Sequence, residues 1–452
     1  MPDTPVASAS IPVDRSALTA AAQAALDWAK ARGATSAECE VSASVGQSVT
    51  VRLDEVETVE YTRDKGLGIT VYFGRRRGNA STSDLSQEAI RRSVEAACAI
   101  ARFTAEDGAA GLPDADLLLR GEAPDLDLYH PWGITVEEAI EIARECESAA
   151  RAADARIDNS EGATVSYSDA DFIFANSLGF SGGFRTSRSS IGCSVIASDE
   201  DGMQRDYWYS SERDWRRLEG ARDVGRRAGE RTVQRLGARQ LPTGDVPVLF
   251  EANVAGSLLS HLVSAASGSS LYRRSSFLLD AAGREIFSPL IEIAEEPHIA
   301  GAMASSWFDG EGVATKSRRL VERGVLTGYF LSSYSGRKLG LATTGNAGGN
   351  HNLIVKPGAD DFAALVKRMG TGFVVTEMMG SGVNPVTGDY SRGAAGFWVE
   401  AGEVKFPVEE VTIAGNLLAM YKGIVAVGND VLVRGSKSTG SILVDRMTIA
   451  GD

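Results

Sequence analysis

The stretch 39-CEVSASVGQSVTVRLDEVETVEYTRDKGLGITVYF-73 decides the fold class. Its apolar residues alternate as Cys39/Val41/Ala43, then Val49/Val51/Leu53, then Val56 onward to Tyr61, and again from Leu67 to Phe73. A period of two marks strands with one buried face. Helical spacing brackets this stretch. Leu18, Ala22, Ala25, Leu26 and Ala29 lie on one helix face, with Asp14 or Ser16 as its cap and Gly33 as its end. Ile90, Val94, Ala97, Cys98 and Ala101 share a face of a second helix starting near Ser86. Helix, several antiparallel strands, helix is an α+β pattern rather than alternating βαβ.

Outward from there, residues 104 to 133 lack periodicity and predict a long connection. Thr135 and Glu138 have capping-box spacing and open a helix to about Ala153. Strand-like runs fill Ala163 to Ser210, and a basic helix is expected from about Trp215 to Leu236. Pro242 and Gly244 mark a boundary, followed by a short strand, Val246–Phe250, and a helix from about Val254 to Ala266. The chain holds 49 glycines, many in long connections beyond this boundary, which suggests curved sheets with bulges. The expected division is a disordered tail over 1–13, an N-terminal α+β domain over 14–240 with helices packed on an antiparallel sheet, and a C-terminal domain over 241–452. That last domain should be a strongly curved, barrel-like β arrangement with a few helices, a shape that rests on the resemblance given below.

At 452 residues, two or three domains are expected. The net charge of −14 argues against a nucleic-acid surface, which needs clustered Lys and Arg. The four cysteines, Cys39, Cys98, Cys146 and Cys193, are scattered without a CxxC pair, as expected of reduced thiols. No secretory signal and no apolar run of about 18 residues is present, so the expected location is the cytoplasm rather than a membrane.

The chemistry-bearing motifs are mostly negative. The four histidines, His130, His261, His298 and His351, are far apart, and neither HExxH nor HExxxH occurs. The string 380-GSGVN-384 is not a G-x-S-x-G elbow, and no GxxxxGK[ST] exists. In 308-FDGEG-312, Asp309 and Glu311 could face one side of a strand and hold a cation or a peptide amine, or could belong to a glycine-punctuated turn. In 388-GDYSRGAAGFWVEAGEV-404, Phe397/Val399 before Ala401-Gly402 suggests a hairpin, with Asp389, Tyr390, Ser391 and Arg392 clustered ahead of it.

Several long strings carry a family resemblance: 124-PDLDLYHPW-132, 271-LYRRSSFLLD-280, 308-FDGEGVAT-315, 345-GNAGGNHN-352, 370-GTGFVVTEMMGSGVNPVTGDYSRGAAGFWVEAGEV-404, 412-TIAGNL-417 and 425-VAVGNDV-431. From about residue 15 onward the chain resembles the TldE/PmbA family. The resemblance implies membership in a two-subunit metallopeptidase, with a TldD-type partner whose helix carries HExxxH and holds zinc. It also implies unfolded or short peptides as substrates. An older family name, modulator of DNA gyrase, does not by itself imply contact with DNA.

In register with that zinc helix, the residues here are Ser260-His261-Leu262-Val263-Ser264-Ala265. Ser260 and Ala265 stand at the two histidine positions and His261 at the glutamate position. The resemblance therefore implies no zinc and no catalytic residue in this chain, with zinc in the TldD partner and peptidase activity only in the complex. The chain's role would be to shape the substrate chamber, with His261, Asn352, Asp389, Tyr390, Ser391 and Arg392 as candidate peptide contacts. Two other readings stand beside it. One is a peptide-binding scaffold, possibly a homodimer. The other is an independent metallopeptidase using His261, His351, Asp309 or Glu311.

Overall fold

The computed structural model describes residues 11–200 and 202–451. Residues 1–10 of the expected tail lie outside them. The chain divides into two compact units. The first contains residues up to Gln234 together with Phe308–Ala314, and the second contains Arg235–Trp307 and the residues from Thr315 onward.

The first unit runs α1 (Arg15–Ala31), β1 (Ser36–Arg52), β2 (Glu55–Phe73), β3 (Arg76–Thr82), α2 (Gln87–Phe103), α3 (Val136–Arg151), β4 (Ile157–Asn176), β5 (Ser181–Gly182), β6 (Arg185–Asp199), β7 (Gly202–Glu212) and α4 (Ala221–Gln234). The sheet order is β3-β2-β1-β4-β6-β7, all antiparallel. The caps explain the helix starts. Asp14 accepts from the Ala17 amide at 2.9 Å, Ser86 caps α2, and Thr135 with Glu138 closes a full capping box.

Two sequence expectations need correction. The alternations at 39–43 and 49–53 are not separate strands. Gly46 and Gln47 interrupt the apolar pattern, but their backbones stay paired to β2 on one side and β4 on the other, so β1 runs unbroken. The basic helix does not begin at Trp215: a short 3-10 turn, Trp215–Arg217, ends at Leu218, and α4 starts at Ala221.

One face of the sheet is covered by helices. Ala37, Cys39, Val41 and Ala43 of β1 pack in one core with Leu18, Ala22 and Ala25 of α1 and Ile90, Val94 and Ala97 of α2. The α3 and α4 helices meet so closely that a Cβ at Gly225 would lie 1.9 Å from the Cys146 carbonyl oxygen. On the same face, buried Asp171 accepts from Arg15 at 2.5 Å and Arg185 at 3.0 Å.

The β1–β2 connection is a tight turn with both Leu53 and Asp54 at positive φ. Their amides donate to the carboxylate of buried Glu147 at 2.8 and 2.9 Å. Beyond this turn, β3 pairs with β2 only from Leu67 onward, so the outer edge of 55–66 has no strand partner among the described residues. The segment 308–314 is a turn rather than a strand. Asp309 is buried and its Oδ1 accepts from the Glu311 and Val313 amides at 2.9 and 3.0 Å. Phe308 packs against Phe172, Phe180 and Phe184.

The second unit runs β8 (Gly244–Phe250), α5 (Ala252–Ala265), α6 (Gly268–Tyr272), β9 (Ile293–Glu296), β10 (Arg318–Glu322), β11 (Val325–Leu326), α7 (Ser333–Leu339), β12 (Asn352–Val355), α8 (Phe362–Met369), β13 (Gly372–Met379), β14 (Asp389–Glu400), β15 (Glu403–Asn416), α9 (Leu417–Lys422), β16 (Ile424–Val427), β17 (Leu432–Arg434), β18 (Lys437–Thr439) and β19 (Ile442–Ala450). Strands β8, β13, β14, β15 and β19 form a ring: β13 pairs with β8, β14 with β13, β15 with β14, β19 with β15, and β8 with β19. This closed five-stranded barrel is the curved β arrangement expected of the C-terminal half. A second sheet has the order β11-β10-β9-β12-β18-β17. The anticipated hairpin joins β14 and β15 through Ala401 and Gly402, both at positive φ as a tight two-residue turn requires.

Candidate functional site

The candidate site is built on α5. Its buried face carries Ala255, Leu258, Leu259, Leu262 and Ala265, which join Val248, Phe250, Phe373 and Val375 in the second unit's core. That spacing fixes the opposite stripe: Asn253, Gly256, Ser257, Ser260 and His261 are only partly covered. The Tyr421 hydroxyl donates to the Leu258 carbonyl at 2.9 Å and anchors the helix from within the core. At its start, Ser441 donates to Asp430 at 2.6 Å and accepts from the Ala252 amide at 2.9 Å.

Barrel strands bring the other side chains. Along β14 the pleat separates the expected cluster of four. Tyr390 and Arg392 point to the α5 side, while Asp389 and Ser391 are exposed on the other. Asp389 accepts from Thr387 at 2.7 Å, which holds its carboxyl below the usual range and organises the preceding loop. Asn352 is not part of this group. Its amide donates to the Glu296 carbonyl and the Ser305 hydroxyl, both at 2.8 Å, and its oxygen accepts from the Ala304 amide at 3.0 Å. Those bonds tie β9 and the 304–305 loop to β12, so Asn352 is a structural clamp.

Tyr390 and His261 meet edge to face, with ring centroids 5.8 Å apart. The Tyr390 hydroxyl contacts the Met378 sulfur at 3.1 Å. Met378 reaches this face through a bulge. Phe373 and Val375 face the core on odd positions, and the register of β13 against β14 shifts between Val375 and Glu377, so the even-numbered Met378 takes the same side. Burial pushes the Tyr390 phenol up to about 12, against the pull of Arg392. Burial and then the Arg392 charge push His261 down, favouring the neutral imidazole.

Two nitrogens at this site, His261 Nε2 and Arg392 Nε, are buried without a hydrogen-bond partner. A buried unpaired donor costs about 1–3 kcal/mol, so the pairing is not neutral for the fold. A second cationic group flanks the helix: a Cβ at Gly256 would lie 3.9 Å from Lys437 Cβ, and burial pushes the Lys437 amine down. Arg434 donates to Asn253 at 3.2 Å. The string that holds Lys437, 435-GSKSTG-440, is one of the glycine-rich connections beyond Gly244 and carries no local sign of a site. Met378 had no local signal because its side depends on the bulge.

The remaining histidines occupy separate surroundings. His298 stacks on Trp307 with centroids 3.9 Å apart, His351 lies against the Ala304 and Gly345 carbonyls, and His130 lies against the Asp127 carbonyl.

The sequence matches three family models that together follow this architecture. They are PmbA/TldA metallopeptidase domain 1 over residues 37–101, the central domain over 129–236 and the C-terminal domain over 243–451. The "Metalloprotease PmbA homolog" of Haemophilus influenzae is 48% identical over 429 residues, covering 95% of each chain. The "Metalloprotease PmbA" of Escherichia coli O157:H7 is 46% identical over 441 residues, covering 98% of each. A solved structure from Bacteroides thetaiotaomicron, described as a modulator of DNA gyrase, superposes with a TM-score of 0.91 at 28% identity, covering 96% of this chain and 99% of that one. The chain belongs to the PmbA/TldE family, within the PmbA/TldD metallopeptidases.

Such a family implies zinc, and the residues of α5 do not fit it. Ser260 donates its hydroxyl to the Gly256 carbonyl at 3.3 Å, and Ala265 is buried with no donor atom in its side chain. Among the described residues no three His, Cys, Asp or Glu side chains converge as a zinc site needs. Of the other residues in the independent-metallopeptidase reading, Asp309 accepts within its turn, Glu311 gives its amide to that turn, and His351 lies against two backbone carbonyls.

Proposed function

We propose that this chain is the non-zinc subunit of a two-subunit metallopeptidase and handles peptide for a TldD-type partner that carries the metal. What supports this most is the retained family fold together with α5 residues Ser260 and Ala265, which stand at the zinc-ligand positions in the register the family resemblance implies. What this chain contributes is position. Unfolded peptides of varied sequence are held by strand addition, because main-chain hydrogen bonds are shared by all sequences. The ring of five strands in the second unit has no open edge along its seam, while in the first unit the outer edge of 55–66 has no strand partner among the described residues. On α5, His261, Tyr390 and Arg392 present polar groups that can orient a bound peptide.

Among the described residues no helix is long and apolar enough to cross a membrane. The four cysteines are buried free thiols, which suits a reducing cytoplasm. The test is reconstitution. Mixing the chain with a TldD-type subunit should give a complex that cleaves short peptides, while this chain alone does not. Equal cleavage by the zinc subunit alone would remove the proposal. Light scattering on the isolated chain separates it from a homodimeric scaffold.

A further inference from the structure

We propose that Arg392, with His261 beside it, binds a carboxylate of the peptide substrate. The inference rests on the peptide-handling role above and names what the α5 site recognises.

Three observations carry it. First, the chain has a net charge of −14, so carboxylates are abundant, yet among the described residues none forms an ion pair with Arg392. By contrast Arg235, Arg318 and Arg446 in the same unit each pair with a carboxylate. Second, Arg392 Nε and His261 Nε2 are both buried and both lack a partner. One anion docking on the guanidinium fork would satisfy the arginine, and the Arg392 charge is near enough to His261 to act on its imidazole. Third, Lys437 flanks the same helix at Gly256, five residues before His261, or about 7.5 Å along the axis. It too has no carboxylate partner among the described residues. Arg392 and Lys437 are thus two cations without carboxylate partners beside one helix of an acidic protein.

The groups that act on His261 are Tyr390 and Arg392 of β14, and Met378 of β13 touches the Tyr390 hydroxyl behind them. None is an acid that would compete with the ligand. Tyr390 packs edge-on against the imidazole and limits where it can turn. The ligand class is therefore a carboxylate, either the peptide's terminal group or an acidic side chain.

The test uses the full chain and three N-terminally labelled pentapeptides read by fluorescence anisotropy. One has a free C-terminus, one a C-terminal amide, and one a C-terminal amide with an internal aspartate. The wild-type chain is expected to bind at least one acidic peptide about tenfold more tightly than the neutral amide, as a charge-assisted fork contact gives. Which acidic peptide gains identifies the source of the carboxylate. R392Q should erase the gain, leaving the acidic peptides no tighter than the neutral amide, and R392K should keep part of it. Circular dichroism and thermal unfolding confirm that both variants fold. Equal affinity for all three peptides, no binding of any, or a gain that survives in R392Q would overturn the proposal. Because no cleavage is read, a failure to reconstitute peptidase activity leaves this result separately interpretable.

Discussion

The two units solve the problem of sheet edges in different ways. The sheet of the first unit is open, and its second strand carries an unpaired edge over 55–66. The barrel of the second unit is closed by the pairing of β15 with β19. An open edge needs something else to hold its shape, because unpaired backbone groups exchange readily with water or with another chain. Glu147 supplies that hold at the 53–54 turn, where two residues at positive φ donate to one buried carboxylate. The closed barrel pairs its ring strand to strand, with Asp245 of β8 accepting from Thr448 of β19 at 2.6 Å, and brings backbones into close approach. The contrast teaches where each unit can tolerate change: the open sheet at its edge, the barrel almost nowhere along its ring.

Breaking the barrel should have the largest effect. A Cβ at Gly396 would lie 1.8 Å from the Val374 carbonyl oxygen. G396V is expected to cost about 3 kcal/mol or more and to abolish the second unit's cooperative unfolding transition in calorimetry. Next comes the staple. E147A removes two charge-assisted bonds at a strained turn and should cost about 3 kcal/mol, seen as lost hydrogen-exchange protection at Leu53 and Asp54 before any loss in the barrel. E147Q should restore part of it.

A smaller effect concerns pH in the first unit. Burial, opposed by the Tyr72 hydrogen bond and aided by Glu311, raises Glu38 to about 7. A raised folded pKa means stability is present below the unfolded value of 4.5 and is lost as pH rises through about 7. E38Q should therefore stabilise the chain by about 2 kcal/mol at pH 8 and change little at pH 4, measured by urea unfolding at both values. The smallest effect lies in the second unit. His261 is lowered by burial and by Arg392, so its contribution is present above its unfolded value of 6.5 and is lost as pH falls below it. H261N should flatten the decline in stability between pH 7 and pH 5.

Much of the first unit was legible because local signals agree with it. Asp14, Ser86 and the Thr135/Glu138 box mark helix starts that the structure retains. The apolar helix after β8 was legible for the same reason, at Ala252–Ala265 rather than 254–266. The length of β1 was not, since pairing through Gly46 and Gln47 is supplied by two neighbouring strands rather than by side-chain pattern. At the site, the strings holding His261 and Tyr390-Ser391-Arg392 were visible, but their grouping was not. Strand pleat separates Ser391 from its neighbours, and only tertiary packing places an α5 imidazole on a β14 ring 129 positions away in the chain. Asn352 looked equivalent in its polar string and proves to be occupied by contacts to β9 and the 304–305 loop.

The closing pair of the barrel has a consequence for synthesis. β19 bonds to β8, β15 and β16, yet it is made after all of them. While the ribosome still holds residues 442–450, β8 and β15 wait with unsatisfied edges. The first unit waits less, since the last segment it needs is Phe308–Ala314. A nascent chain stalled between about 340 and 440 should therefore carry a completed first unit and an unclosed second one. In that interval a chaperone would find its target in the second unit.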